Sequence, residues 1–101
     1  MGDRICLTFV SDCAWDDDCP CLYSHWDGMR LIERAKEFWE LYHDKLRHEP
    51  TNWMVNFISW LCEGDVQNGN YYLHPTEADS ADPEDNGYWR FNIDTGRPVI
   101  E

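Results

Sequence analysis

A chain of 101 residues with twenty Asp and Glu against eight Lys and Arg carries a formal charge of −12. Charge of that sign and size repels nucleic acid and anionic membrane and leaves basic partners as the ones its field attracts. At this length a single domain buries about 65% of its unfolded surface, and 43% hydrophobic residues with six Trp exclude a wholly disordered chain.

We expect residues 1–101 to form one acidic domain with no cofactor. No stretch approaches the roughly 20 apolar residues of a membrane span. The opening MGDRICLTFV has an acid at Asp3 and too short an apolar run for a secretory signal. Cys6 stands where myristoylation of Gly2 requires Ser or Thr. Five Cys are an odd number and cannot all pair with one another. The expected setting is a reducing cytoplasm, with the thiols unoxidised.

In chain order, Ile5 to Val10 (ICLTFV) is rich in β-branched and aromatic residues and reads as a strand. SDCAWDDDCP is turn material with the acid run Asp16, Asp17 and Asp18. Cys21 to His25 then returns as a second strand, giving a hairpin with a long charged tip. Asp27 is a candidate N-cap for the helix that follows, its carboxylate accepting from the first-turn N–H groups.

From Asp27 to Arg47 the apolar residues Leu31, Ile32, Ala35, Phe38, Trp39, Tyr42 and Leu46 recur at the spacing of one helix face. His48-Glu49-Pro50 is expected to end this helix, since Pro disfavours helical geometry in the residue before it. Thr51 then caps a second helix, Asn52 to Cys62, stopped at Gly64. Its apolar residues surround almost the whole circumference, so it is buried on more than one face. It belongs between the first helix and the sheet, or under a second subunit as a homodimer interface.

Tyr71 to His74 reads as a short strand, and the acid-rich 75–87 stretch as a solvated loop. Tyr88 to Ile93 and Arg97 to Ile100 flank Asp94-Thr95-Gly96, where Gly96 suits the left-handed residue of a three-residue turn. Pro98 lacks a donor and places the last strand at an edge. The order implies an α+β fold: an N-terminal β-hairpin, two packed helices and a C-terminal β-hairpin on an antiparallel sheet.

The segment Leu22-Tyr23-Ser24-His25-Trp26-Asp27-Gly28 resembles small uncharacterised phage and prokaryotic proteins in which Tyr-(Ser/Thr)-His-Trp-Gly-Gly closes a hairpin before a helix pair and a final hairpin. Here Asp27 stands where the first Gly of that motif would be. The resemblance implies a mobile-element origin and carries over no active site. Among small acidic phage-borne domains, the anti-CRISPR class is the nearest functional analogue, by type and not by sequence.

Candidate chemistry falls in two places. Cys13, Cys19, Cys21 and His25 form C-x5-C-x-C-x3-H, which offers thiolates and an imidazole to a metal but lacks the C-x2-C spacing of zinc sites. The competing reading is buried thiols and a His25 packed beside Trp26. No phosphate loop or nucleophile elbow is present, and Ser24 and His25, as neighbours on a strand, point to opposite faces. No catalytic residue is assigned.

The second place is the solvent face of the first helix. Glu33, Glu37, Glu40 and Asp44 follow one another there at i, i+4, i+7 and i+11, a row of about 16 Å with carboxylates about one turn apart. Like charges so placed repel by a few tenths of a kcal/mol per pair. Arg30, Arg34, Lys36, Lys45 and Arg47 are expected at the sides of the row. The spacing is comparable to that of phosphates on a DNA strand, so a protein built to neutralise phosphates would accept the row as a substitute. Asp16, Asp17 and Asp18 could extend the surface, with Trp15 as an aromatic anchor. The expected function is a small acidic inhibitor of a basic, nucleic-acid-binding partner such as a host defence nuclease complex; the alternatives are a homodimeric structural or regulatory module whose charge serves solubility, and a metal-binding domain on the Cys/His hairpin.

Overall fold

The run ICLTFV forms β1 (Ile5–Val10), and every residue from Ile5 to Phe9 is buried. A strand apolar on both faces belongs inside a sheet, and β1 is the middle one. The computed structural model describes residues 2–12, 19–75 and 85–100. Beyond β1 it contains β2 (Cys21–Ser24), α1 (Arg30–Tyr42), α2 (Pro50–Cys62), β3 (Tyr71–His74), β4 (Tyr88–Asn92) and β5 (Arg97–Ile100).

The fold is α+β, and the five strands form one sheet in the order β3-β2-β1-β4-β5. The sheet is mixed, which corrects the expectation of a purely antiparallel one. β2 pairs antiparallel with both β1 and β3, and β4 with β5, but β1 and β4 run parallel with Cys6 opposite Tyr88 and Val10 opposite Asn92. The cause is topological. The chain leaves β3 at one edge and re-enters beyond β1, so β4 takes the one flank of β1 that β2 leaves open. The tip at 13–18 and residues 76–84 of the acidic loop lie outside the described residues.

Both helices cover one face of the sheet. Leu31, Ile32, Ala35 and Phe38 of α1 and Trp53, Met54 and Phe57 of α2 are buried against Ile5, Leu7, Phe9, Leu22 and Phe91. Aromatic rings dominate the centre: Phe9 meets Phe57 edge-on at 5.4 Å and Phe91 at 5.8 Å, and Phe38 meets Trp53 at 5.4 Å. α2 therefore presents its large side chains to the core. Val55, 68% exposed, is its main apolar residue in solvent, a narrow basis for the homodimer reading.

Helix ends depart from expectation. Asp27 does not cap α1; the N-cap is Met29, with no side-chain cap bond. The Asp27 carboxylate instead accepts from the Tyr71 hydroxyl and, at 3.3 Å, from Asn70 Nδ2, so tertiary donors on the far side of the sequence displace the local ones. α1 also stops at Tyr42, well short of Arg47, with His43 stacked on Trp39 at 4.1 Å. Pro50 opens α2 at its first turn, where its missing N–H has no helical partner to lose.

Gly96 adopts the left-handed φ of +73° expected of it, and a Cβ there would sit 2.8 Å from the Trp39 ring. That ring is fixed by its own Nε1–H, which donates to the Ile93 carbonyl at 2.7 Å. Gly96→Ala is therefore expected to destabilise the domain by about 1–3 kcal/mol, from backbone strain and overpacking together. A urea midpoint equal to that of the parent chain would show that Trp39 yields freely.

Candidate protein-binding surface

α1 buries one stripe and turns Glu33, Glu37 and Glu40 to solvent, all exposed. Asp44 is exposed too, but it lies in the turn past the C-cap His43 and not on the helix itself. The bases do not all stand aside as the spacing implied. The Arg34 guanidinium lies over the Trp60 ring at 4.3 Å and reaches Glu37 at 2.9 Å. Glu33, Glu40 and Asp44 have no basic partner among the described residues, while Arg47 pairs with Glu49 and Lys45 lies over Tyr42 at 5.8 Å. Among the described residues, Glu37 is therefore the one of the four that is paired. Trp15, Asp16, Asp17 and Asp18, the proposed extension, lie outside the described residues.

The Cys/His set diverges. Cys19 Sγ is buried and reaches the Pro50 carbonyl at 3.4 Å, and burial pushes its thiol pKa up. Cys21 is buried on the sheet face away from the helices, beside Cys6. A hydrogen bond with Cys6 and then burial push its pKa up. The Tyr88 hydroxyl is buried beside these two thiols without a well-formed hydrogen bond. His25 packs edge-on against Trp26 at 4.5 Å and shares a hydrogen bond of 2.9 Å between Nδ1 and the Tyr23 hydroxyl. No three ligating side chains converge among the described residues. Cys13 lies outside them.

Two constellations were not singled out in the sequence. In the first, Asp94 accepts from Ser11 Oγ and the Asp12 N–H, both at 2.8 Å, and meets His48 Nδ1 at 2.5 Å. This ties the end of β1, the link between the helices and the β4–β5 turn at one carboxylate. Ser11 and His48 each bond Asp94, and no hydrogen bond joins them to each other among the described residues.

The second is a groove of about 510 Å³ between β3 and the C-terminal half of α2, with Leu22, Ile58, Cys62, Tyr71, Leu73 and Asp65 among its walls. Its sequence signal was present but unread: YYLH has neither charge nor Pro, whereas the opposite edge, RPVI, has both.

No helix among the described residues is long and apolar enough to cross a membrane. Compared with protein families, with curated proteins and with solved structures, the chain matches none.

Proposed function

We propose that the protein is a small acidic binding protein, of the kind carried by phage or other mobile elements, that acts in a reducing cytoplasm. It inhibits a basic, nucleic-acid-binding partner such as a host defence nuclease complex by offering carboxylates where that partner expects phosphates. It is not an enzyme in this reading. The observation that carries the proposal is the row of exposed carboxylates along and just past α1, of which Glu37 alone has a basic partner in its own chain among the described residues. In a chain of formal charge −12 that row adds to a field that draws cationic surfaces from a distance.

Glu33, Glu40 and Asp44 carry most of the contact. Glu37 contributes less, because binding a partner there competes with Arg34. The test is charge reversal combined with competition. A partner captured from a host lysate is identified, and its binding is then measured against Glu33→Lys, Glu40→Lys and Asp44→Lys combined. Duplex DNA is added as competitor in a parallel series. The expected results are a loss of affinity of at least about tenfold in the variant, displacement by DNA, and a steep weakening with salt. The melting curve stays as in the parent chain, since exposed substitutions change stability by about 0.5 kcal/mol or less. Undiminished binding by a folded variant, or a partner that holds DNA and this chain together, rules the proposal out.

A further inference from the structure

The two edges of the sheet are built differently. At the β5 edge, Pro98 stands opposite Phe91. β4 gives its odd-numbered residues to β1, as the bond from Ile93 N–H to the Val10 carbonyl shows. The β4–β5 bonds therefore run through Asn92–Arg97 and Arg90–Val99, and the Pro98 nitrogen faces outward. That edge has no donor at its centre and is flanked by the charged Arg97. Such devices stop an edge strand from recruiting another chain.

Within β3 the edge has none of them, and Pro75 limits it only at the end beyond His74. The His25 N–H donates to the Asn70 carbonyl at 2.9 Å, which makes Tyr23–Tyr72 and Cys21–His74 the bonded pairs of the β2–β3 ladder. The N–H and C=O groups of Tyr71 and Leu73 thus point away from the sheet, and no described residue meets them. Leu73 is 56% exposed and Tyr72 49% exposed. A strand added there, about 4.8 Å from β3, would send alternate side chains to opposite faces. On the helix side they enter the groove walled by Leu22, Ile58, Tyr71 and Leu73. On the other side they pass Tyr72, which packs against Tyr23 at 5.9 Å.

Charge selects the occupant. Asp65 is in the groove wall, no Lys or Arg lines it, Glu63 caps the adjoining end of α2, and Asp27 is bonded to Tyr71. A second copy of this chain would bring another formal charge of −12 to the same edge, and like charge across an interface is strongly disfavoured. We propose that the β3 edge and its groove bind an extended segment of a protein partner in which apolar residues alternate with Arg or Lys. The apolar side chains fill the groove and the main chain pairs with Tyr71 and Leu73, while the cations, on the opposite face from Asp65 and Asp27, lie over the rings of Tyr72 and Tyr23, drawn there by the formal charge of −12. This rests on the reading of a basic partner but not on the α1 row.

The probe is a short synthetic peptide alternating valine and arginine, with two controls: glutamate in place of arginine, and N-methylation of the residues that would donate to β3. The full chain is titrated with each, and amide hydrogen exchange is followed residue by residue. Binding of the arginine peptide is expected to slow exchange at Tyr71 and Leu73, and each control is expected to bind at least about tenfold more weakly. Leu73→Pro gives β3 the device that β5 already has and should abolish binding. If that variant does not fold, the N-methylated peptide makes the same test on the parent chain. The variant reversed at Glu33, Glu40 and Asp44 should bind the peptide as the parent does, so failure of the row and failure of the edge are distinguishable. Equal binding of the arginine and glutamate peptides, unchanged exchange at Tyr71 and Leu73, or a dimer of the chain that already protects those amides overturns the proposal.

Discussion

Trp53→Ala is expected to remove a large share of the domain's stability and lower its urea midpoint sharply, whereas Trp53→Phe should be tolerated. Trp53 is fully buried between Phe9 at 6.0 Å and Phe38 at 5.4 Å. Removing such a ring costs about 3–5 kcal/mol through lost transfer energy and the cavity left behind. Small domains have only about 5–15 kcal/mol in total. The indole also carries an unmet demand: Nε1 is buried with no hydrogen-bond partner. A donor stranded in this way costs about 1–3 kcal/mol. Phenylalanine removes the donor together with part of the volume, so the two effects oppose each other and the net loss should be about 1 kcal/mol or less. Urea unfolding followed by circular dichroism decides it. A Phe variant as unstable as the Ala variant would mean that Nε1 is satisfied in solution.

The second large effect is at Asp94. Asp94→Asn keeps the shape but weakens the contacts to His48, Ser11 and the Asp12 N–H. Bonds to a charged acceptor in a partly covered site are the strong kind, and the expected cost at neutral pH is about 2–3 kcal/mol. Burial opposes ionisation of this carboxyl, but the hydrogen bonds from His48, Ser11 and the Asp12 amide outweigh it and hold its pKa below the ordinary 3.8. Near and below 3.8 the unfolded chain takes up the proton before the folded one does. The Asp94 contribution is therefore complete above that value and disappears as pH falls through the depressed one. The gap in stability between parent and Asn variant should narrow from about pH 7 to about pH 3. A constant gap would place the cost of the substitution in shape and not in charge.

These two residues mark where the sequence was legible and where it was not. Trp53 belongs to a helix whose apolar residues announced its burial, and ICLTFV, apolar without alternation, already carried the signature of a strand covered on both faces. Gly96 was readable because only its backbone freedom fits the turn. Asp94 was invisible as a hub, since its partners Ser11 and His48 come from distant parts of the chain and nothing local marks them. Asp27 shows the converse: its local capping chemistry was sound, but Tyr71 and Asn70 offered it better donors. The parallel β1–β4 pairing was equally hidden, because strand direction is set by how the chain crosses the sheet and not by the residues of either strand. The acid row was legible as a pattern of positions. The pairing of Arg34 with Glu37 was legible too, as an i, i+3 pair; the seat of the guanidinium on Trp60 of the other helix was not.

The place of β1 between an early neighbour and a late one governs how the molecule is made. During synthesis β2 emerges soon after β1, but the flank that Cys6 to Val10 shares with Tyr88 to Asn92 stays bare until most of the chain has left the ribosome. Contacts between such remote segments slow folding and prolong exposure of an apolar strand. A nascent chain cut off ahead of Tyr88 would not be a smaller version of this domain: its most apolar strand would still lack half its hydrogen bonds, a substrate for chaperones and proteases.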